Sequence, residues 1–108
     1  MQNEYGLSAS APGAISMTKV KNAFKKQYPN LTVELKNARV NGQLRGCYGF
    51  VTDPATGNVV YLNTETTTRN EVLYRTAAHN KDYTGGTNRF CDFHELADEV
   101  HQLLGASK

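Results

Sequence analysis

The sequence has no tryptophan, only two cysteines and three prolines, and no long apolar run. Each shortage excludes something. Cys47 and Cys91 are too few for a disulfide framework and cannot alone build a structural zinc site. Free thiols in a cytoplasmic setting are the expectation. No stretch approaches the roughly 18 apolar residues of a membrane-crossing helix, so no membrane partner is expected. The N-terminus lacks the basic-then-apolar pattern of a secretory signal, and no export is expected from it. Acidic residues are also scarce early on: 1–45 carries Lys19, Lys21, Lys25, Lys26, Arg39 and Arg45, with Lys36, against Glu4 and Glu34. The end of the chain reverses this with Asp92, Glu95, Asp98 and Glu99.

What is present suits one ordinary globular domain. The 108 residues are 39% hydrophobic and 20% charged, enough for a single core and too few for two. Met1 to Gly13, rich in Ser, Ala and Gly, reads as a flexible leader, and 14–108 as one domain.

Periodicity supplies the elements. Met17, Val20, Phe24 and Tyr28 recur at spacings of three and four, an apolar helix stripe that Ser16 can cap and Pro29 ends. Leu31, Val33 and Leu35 alternate with polar residues as in a half-buried strand, and the alternation slips near Asn37 and Ala38, where a bulge is expected. Asn41-Gly42 suits a type I′ turn. Further strands are expected over Gln43 to Thr52, Val59 to Asn63 and Glu71 to Ala77. A final helix carries Phe93, Leu96, Ala97, Val100, Leu103 and Leu104, with Asp92 and Glu95 as a capping box and Gly105 as its stop. The expected fold is α+β in the order α-β-β-β-β-α: a four-stranded antiparallel sheet with two helices packed mainly on one face.

The middle strands are apolar on both parities. Tyr48, Phe50, Tyr61 and Tyr74 are assigned to one face, and Cys47, Val51, Val60, Leu62 and Leu73 to the other. A sheet that is greasy on both sides has more apolar surface than two helices can cover, and such a patch marks an interaction site. The first functional expectation is therefore a non-enzymatic interaction module. It binds, and by occupancy inhibits, a larger protein partner, or pairs with itself, through Tyr48, Phe50, Tyr61 and Tyr74. Tyr83 and Arg89 come from the Gly85-Gly86 loop. The alternative is a nucleic-acid binder using Lys19, Lys21, Lys25, Lys26, Arg39 and Arg45 for phosphates and the sheet aromatics for bases.

Chemistry-bearing clusters are weak. His94, Asp98 and His101 share one side of the last helix, with Cys91 a turn earlier, and the four are metal-ligand types without a zinc-motif spacing. A solvated polar face is the favoured reading of them. Cys91 precedes a helix start near Arg89, which would lower a thiol pKa, with His79 or His94 as a base. No nucleophile motif surrounds it, so no catalytic residue, metal or cofactor is expected, and a small metal- or thiol-dependent enzyme is only the second alternative.

Overall fold

The computed structural model describes residues 14–65, 71–77 and 87–106. The leader, the connection over 66–70, His79, Tyr83 and the Gly85-Gly86 pair lie outside the described residues. Helix α1 covers Met17–Gln27. Five strands follow: β1 (Thr32–Val40), β2 (Gln43–Thr52), β3 (Val59–Asn63), β4 (Glu71–Ala77) and β5 (Arg89–Asp92). A 3₁₀ turn over Phe93–Glu95 leads into α2, Leu96–Ala106. The class is α+β, and the sheet runs β1-β2-β3-β4-β5 with every neighbour antiparallel.

The expected four-stranded sheet is thus five-stranded. Arg89–Asp92 adds an edge strand against β4. A four-residue strand flanked by polar groups carries too little alternation to be seen in sequence. Its presence also displaces the capping box: Asp92 is the last strand residue, makes no side-chain cap, and a 3₁₀ turn intervenes before α2. Gly105 does not stop α2, which runs on to Ala106.

Other local expectations are met. The Ser16 hydroxyl accepts from the Lys19 amide at 3.3 Å, satisfying one of the free donors at the start of α1. Asn41 and Gly42 have φ of 53° and 79°, as a type I′ turn between β1 and β2 requires. The β1–β2 register shifts between Ala38 and Arg39, leaving Arg45 as the extra residue of a bulge. In the β2–β3 turn, Asp53 accepts from the Ala55 amide with its carboxylate and from Thr56 and Gly57 with its carbonyl.

Cross-strand pairing fixes the two faces. Val33↔Val51↔Val60 and Gly49↔Leu62↔Tyr74 share one face, while Glu34↔Phe50↔Tyr61↔Arg75 shares the other. The buried residues of α1 (Val20, Phe24) and α2 (Leu96, Ala97, Val100, Leu104) form one cluster with Leu35, Cys47, Val51, Val60, Leu62, Val72 and Tyr74. Phe50, Val59 and Tyr61 form a second, smaller cluster backed by Tyr48, Leu73 and Ala77.

Candidate functional site

The second cluster is the face that the sequence marks for docking. Its centre is closed. Phe50 and Tyr61 are each only 8% exposed, and their rings meet at 5.7 Å between centroids. The Arg75 guanidinium lies 4.4 Å from the Tyr61 ring centroid, and its Nη1 donates to Asn88 Oδ1 at 3.1 Å. Asn63 Nδ2 donates to the Tyr61 hydroxyl at 3.0 Å. Rings held this way offer a partner little area. Tyr48 is half-buried beside them.

Tyr74 does not belong to this face. Its pairing with Leu62 turns it into the helix-side cluster, where its hydroxyl donates to Glu99 Oε1 at 2.8 Å. Leu73, expected on the face of Cys47, Val51, Val60 and Leu62, instead lies on the second face, opposite Phe90. The strand phase is reset across the connection that precedes β4, so alternation on one side of it does not carry over. Arg89, opposite Tyr74, is exposed and has the helix-side parity. Of the six proposed docking residues, Tyr48, Phe50 and Tyr61 come together, Tyr74 and Arg89 do not, and Tyr83 is outside the described residues.

The structure adds a residue that the sequence did not single out. Phe90 is 53% exposed, on the second face of the edge strand β5, directly opposite half-buried Leu73. Glu71 and Asp92 are paired across the same two strands two positions along, so they share this face and put negative charge at its rim.

The basic residues are divided. α1 carries Lys19, Lys21, Lys25 and Lys26, and Lys19 Nζ sits 4.9 Å over the Phe93 ring. Arg39 donates to the Gly42 carbonyl inside the β1–β2 turn, and Arg45 is exposed at the bulge. Lys21 lines one cavity with Lys36, Tyr48 and Phe50, whereas Arg39 and Arg45 lie at the β1–β2 turn and bulge, so the six basic residues do not form one patch.

The metal-type residues are also separated. His94 lies in the 3₁₀ turn, which breaks the helical spacing to Asp98. Asp98 Oδ1 accepts from the Tyr28 hydroxyl at 2.6 Å, and His101 stacks on the Tyr28 ring at 4.1 Å and 8°. These contacts tie the end of α1 to α2. Among the described residues no group of His, Cys, Asp or Glu is placed to hold a metal.

The expectation of an acidic Cys91 thiol is reversed. Cys91 is a strand residue packed against the core. Burial first, then the carboxylates of Glu99, Glu95 and Asp92, push its pKa up to about 12. Cys47 is fully buried and its pKa is raised by desolvation. Both cysteines are free thiols. Tyr74 is pushed up to about 12 by burial and by its bond to Glu99, and Tyr28 upward by its bond to Asp98.

All four groups hold a proton more tightly when folded, which sets a pH dependence. The folded chain binds more protons than the unfolded one once pH passes the ordinary thiol value of 9.0. Stability is therefore fully present below about pH 9 and falls as pH rises towards 12. Urea midpoints measured across this range should decrease steadily. Tyr74→Phe should flatten the part above pH 10, where an unfolded tyrosine ionises. A flat profile to pH 11 would contradict this placement of the thiols and Tyr74.

Comparison with protein-family models, with curated proteins and with solved structures finds no match for this chain.

Proposed function

We propose that the chain is a non-enzymatic interaction module that docks a protein partner at the β4–β5 side of the second sheet face. Both helices cover the opposite face in this reading, and Phe90 is the anchor. The observation that carries the proposal is the exposure of this aromatic ring beside Leu73. An exposed phenyl group on a well-formed strand gains by desolvation in a partner's pocket, and its ring is already ordered by the backbone. Exposed Asp92 at the rim favours a partner surface with an apolar centre and a basic group beside it.

The mode of action is occupancy, with inhibition where the covered surface is an active one. Free Cys47 and Cys91 support a reducing, cytoplasmic setting. The partner is a larger protein, and neither a cofactor nor a membrane enters this function.

Phe90→Asp tests it. The residue is exposed, so the melting temperature should change by no more than a few degrees. Affinity for a partner captured from native extract should fall about 30-fold, the loss typical of a central aromatic anchor. Lys25→Glu, on α1, should leave that affinity unchanged. A partner bound equally well by the Phe90→Asp chain removes the proposal.

A further inference from the structure

The β1–β2 end of the sheet holds a cavity of about 310 Å³, lined by Lys21, Glu34, Lys36, Tyr48 and Phe50. Strand pairing explains how it arises. β1 and β2 match Glu34 with Phe50, Leu35 with Gly49, and Lys36 with Tyr48. Successive side chains of a strand alternate, so the outer two pairs stand on the second face and frame the pair between them. Leu35 is turned into the helix-side core and Gly49 has no side chain. The framed position is therefore floored by main chain, and both residues line the cavity. Lys21 reaches it from α1.

We infer that this cavity binds a small aromatic monocarboxylate. Its volume lies at the lower end of ligand pockets, about 300–1,000 Å³, and so suits a molecule with one ring. The walls are the rings of Tyr48 and Phe50, which favour an aromatic body packed edge-on or offset against them. The charged groups select an acid. Lys21 and Lys36 are exposed, and Tyr48 is half-buried. Neither ammonium nor the Tyr48 hydroxyl has a hydrogen-bonded or charged partner among the described residues, whereas Glu34 is engaged within the chain. All three can donate to a carboxylate.

The remaining lining charge sets the valence. Two ammoniums and one carboxylate leave the cavity one positive charge in excess. A monoanion neutralises it, whereas a dianion brings its second charge against Glu34. This inference goes beyond the docking proposal, because β3 separates the cavity from the β4–β5 side on which Phe90 stands.

The test is a titration of the whole chain with phenylacetate, followed through backbone amide shifts. Residues 34–36 and 48–50 should shift and saturate, with a dissociation constant of about 1 mM or tighter. Phenylacetamide, which keeps the ring and loses the charge, should bind about tenfold more weakly or worse. Lys21→Gln and Lys36→Gln should each weaken phenylacetate about three- to fivefold, the worth of one exposed ion pair. Both lysines are exposed, so the fold survives either change. Lys25→Gln, on α1 but outside the cavity, should have no effect, and phenyl phosphate should bind no tighter than phenylacetate. Phe90→Asp should also leave the titration unchanged, which separates this inference from the partner-docking proposal. Shifts that do not saturate at tens of millimolar overturn the inference, as do shifts centred away from 34–36 and 48–50. So does an amide that binds as tightly as the acid, a Lys25→Gln loss equal to that of Lys21→Gln, or a preference for the phosphate.

Discussion

Gly49→Ala should cost about 2–5 kcal/mol, the sum of a backbone overpacking penalty and a positive-φ penalty. Gly49 lies opposite Leu35 in the β1–β2 ladder, with φ of 156°. A methyl group there would run into the Glu34 carbonyl oxygen and come within 2.9 Å of the Leu35 Cα. Both obstacles are main chain in a paired strand, so relief requires β1 and β2 to separate where Leu35 enters the core. Two other glycines calibrate the effect. Gly42 has open space around its Cα and a φ of 79°, so its alanine variant should show only the strain of the turn, about 1–2 kcal/mol. Gly105 also has open space and lies within α2, so Gly105→Ala should stabilise by about 0.5–1 kcal/mol. Urea denaturation of the three variants checks the order. A Gly49→Ala chain as stable as Gly42→Ala would mean that the close approach of the strands is wrong.

The order of that series shows what a sequence can and cannot convey. Short-range geometry was legible: Asn41-Gly42 specifies its own turn, Ser16 its own cap, and the slip at Asn37-Ala38 its bulge. So were the strands long enough to alternate. Three things were not. β5 is four residues long, and its pairing with β4 is a tertiary fact. The face of Tyr74 depends on the phase in which β4 docks on β3, and nothing inside Glu71–Ala77 sets that phase. The Cys91 thiol was read from its distance along the chain to a helix start. In space it is surrounded by Glu99, Glu95 and Asp92, which reverse the sign of its shift.

The candidate site followed the same division. An aromatic surplus on the sheet was visible, and Tyr48, Phe50 and Tyr61 do meet. Their closure was not visible, because a tyrosine read as surface can be satisfied by an asparagine two residues along its own strand and an arginine from the next strand, as Asn63 and Arg75 do here. What stays open is the ring of Phe90, on a strand that periodicity could not find.

Thr64→Val should destabilise the chain by about 2–6 kcal/mol although it changes almost no volume, because it strands two buried backbone groups at about 1–3 kcal/mol each. Thr64 is 5% exposed and follows directly after β3. Its amide donates to the Cys47 carbonyl at 2.8 Å, and its hydroxyl accepts from the Cys47 amide at 2.8 Å. The same hydroxyl donates to the Ile15 carbonyl at 2.9 Å. One side chain thus extends the β2–β3 ladder past its last pair, Tyr48↔Asn63, and ties the chain entering α1 to the sheet. Gly46 makes room for it, since a Cβ there would lie 2.7 Å from the Thr64 hydroxyl oxygen. The start of α1 is held twice more, by the Ser16 cap and by Asn37 Oδ1, which accepts from the Met17 amide at 3.0 Å. Losing Thr64 should therefore loosen α1 at its first turn without releasing it. Valine removes both bonds of the hydroxyl, whereas Thr64→Ser keeps them and should recover most of the stability. Exchange of the Cys47 amide should quicken in the valine variant alone. A Thr64→Val chain within about 0.5 kcal/mol of wild type would show that Cys47 and Ile15 find other partners, and that the sheet does not hold the helix through this residue.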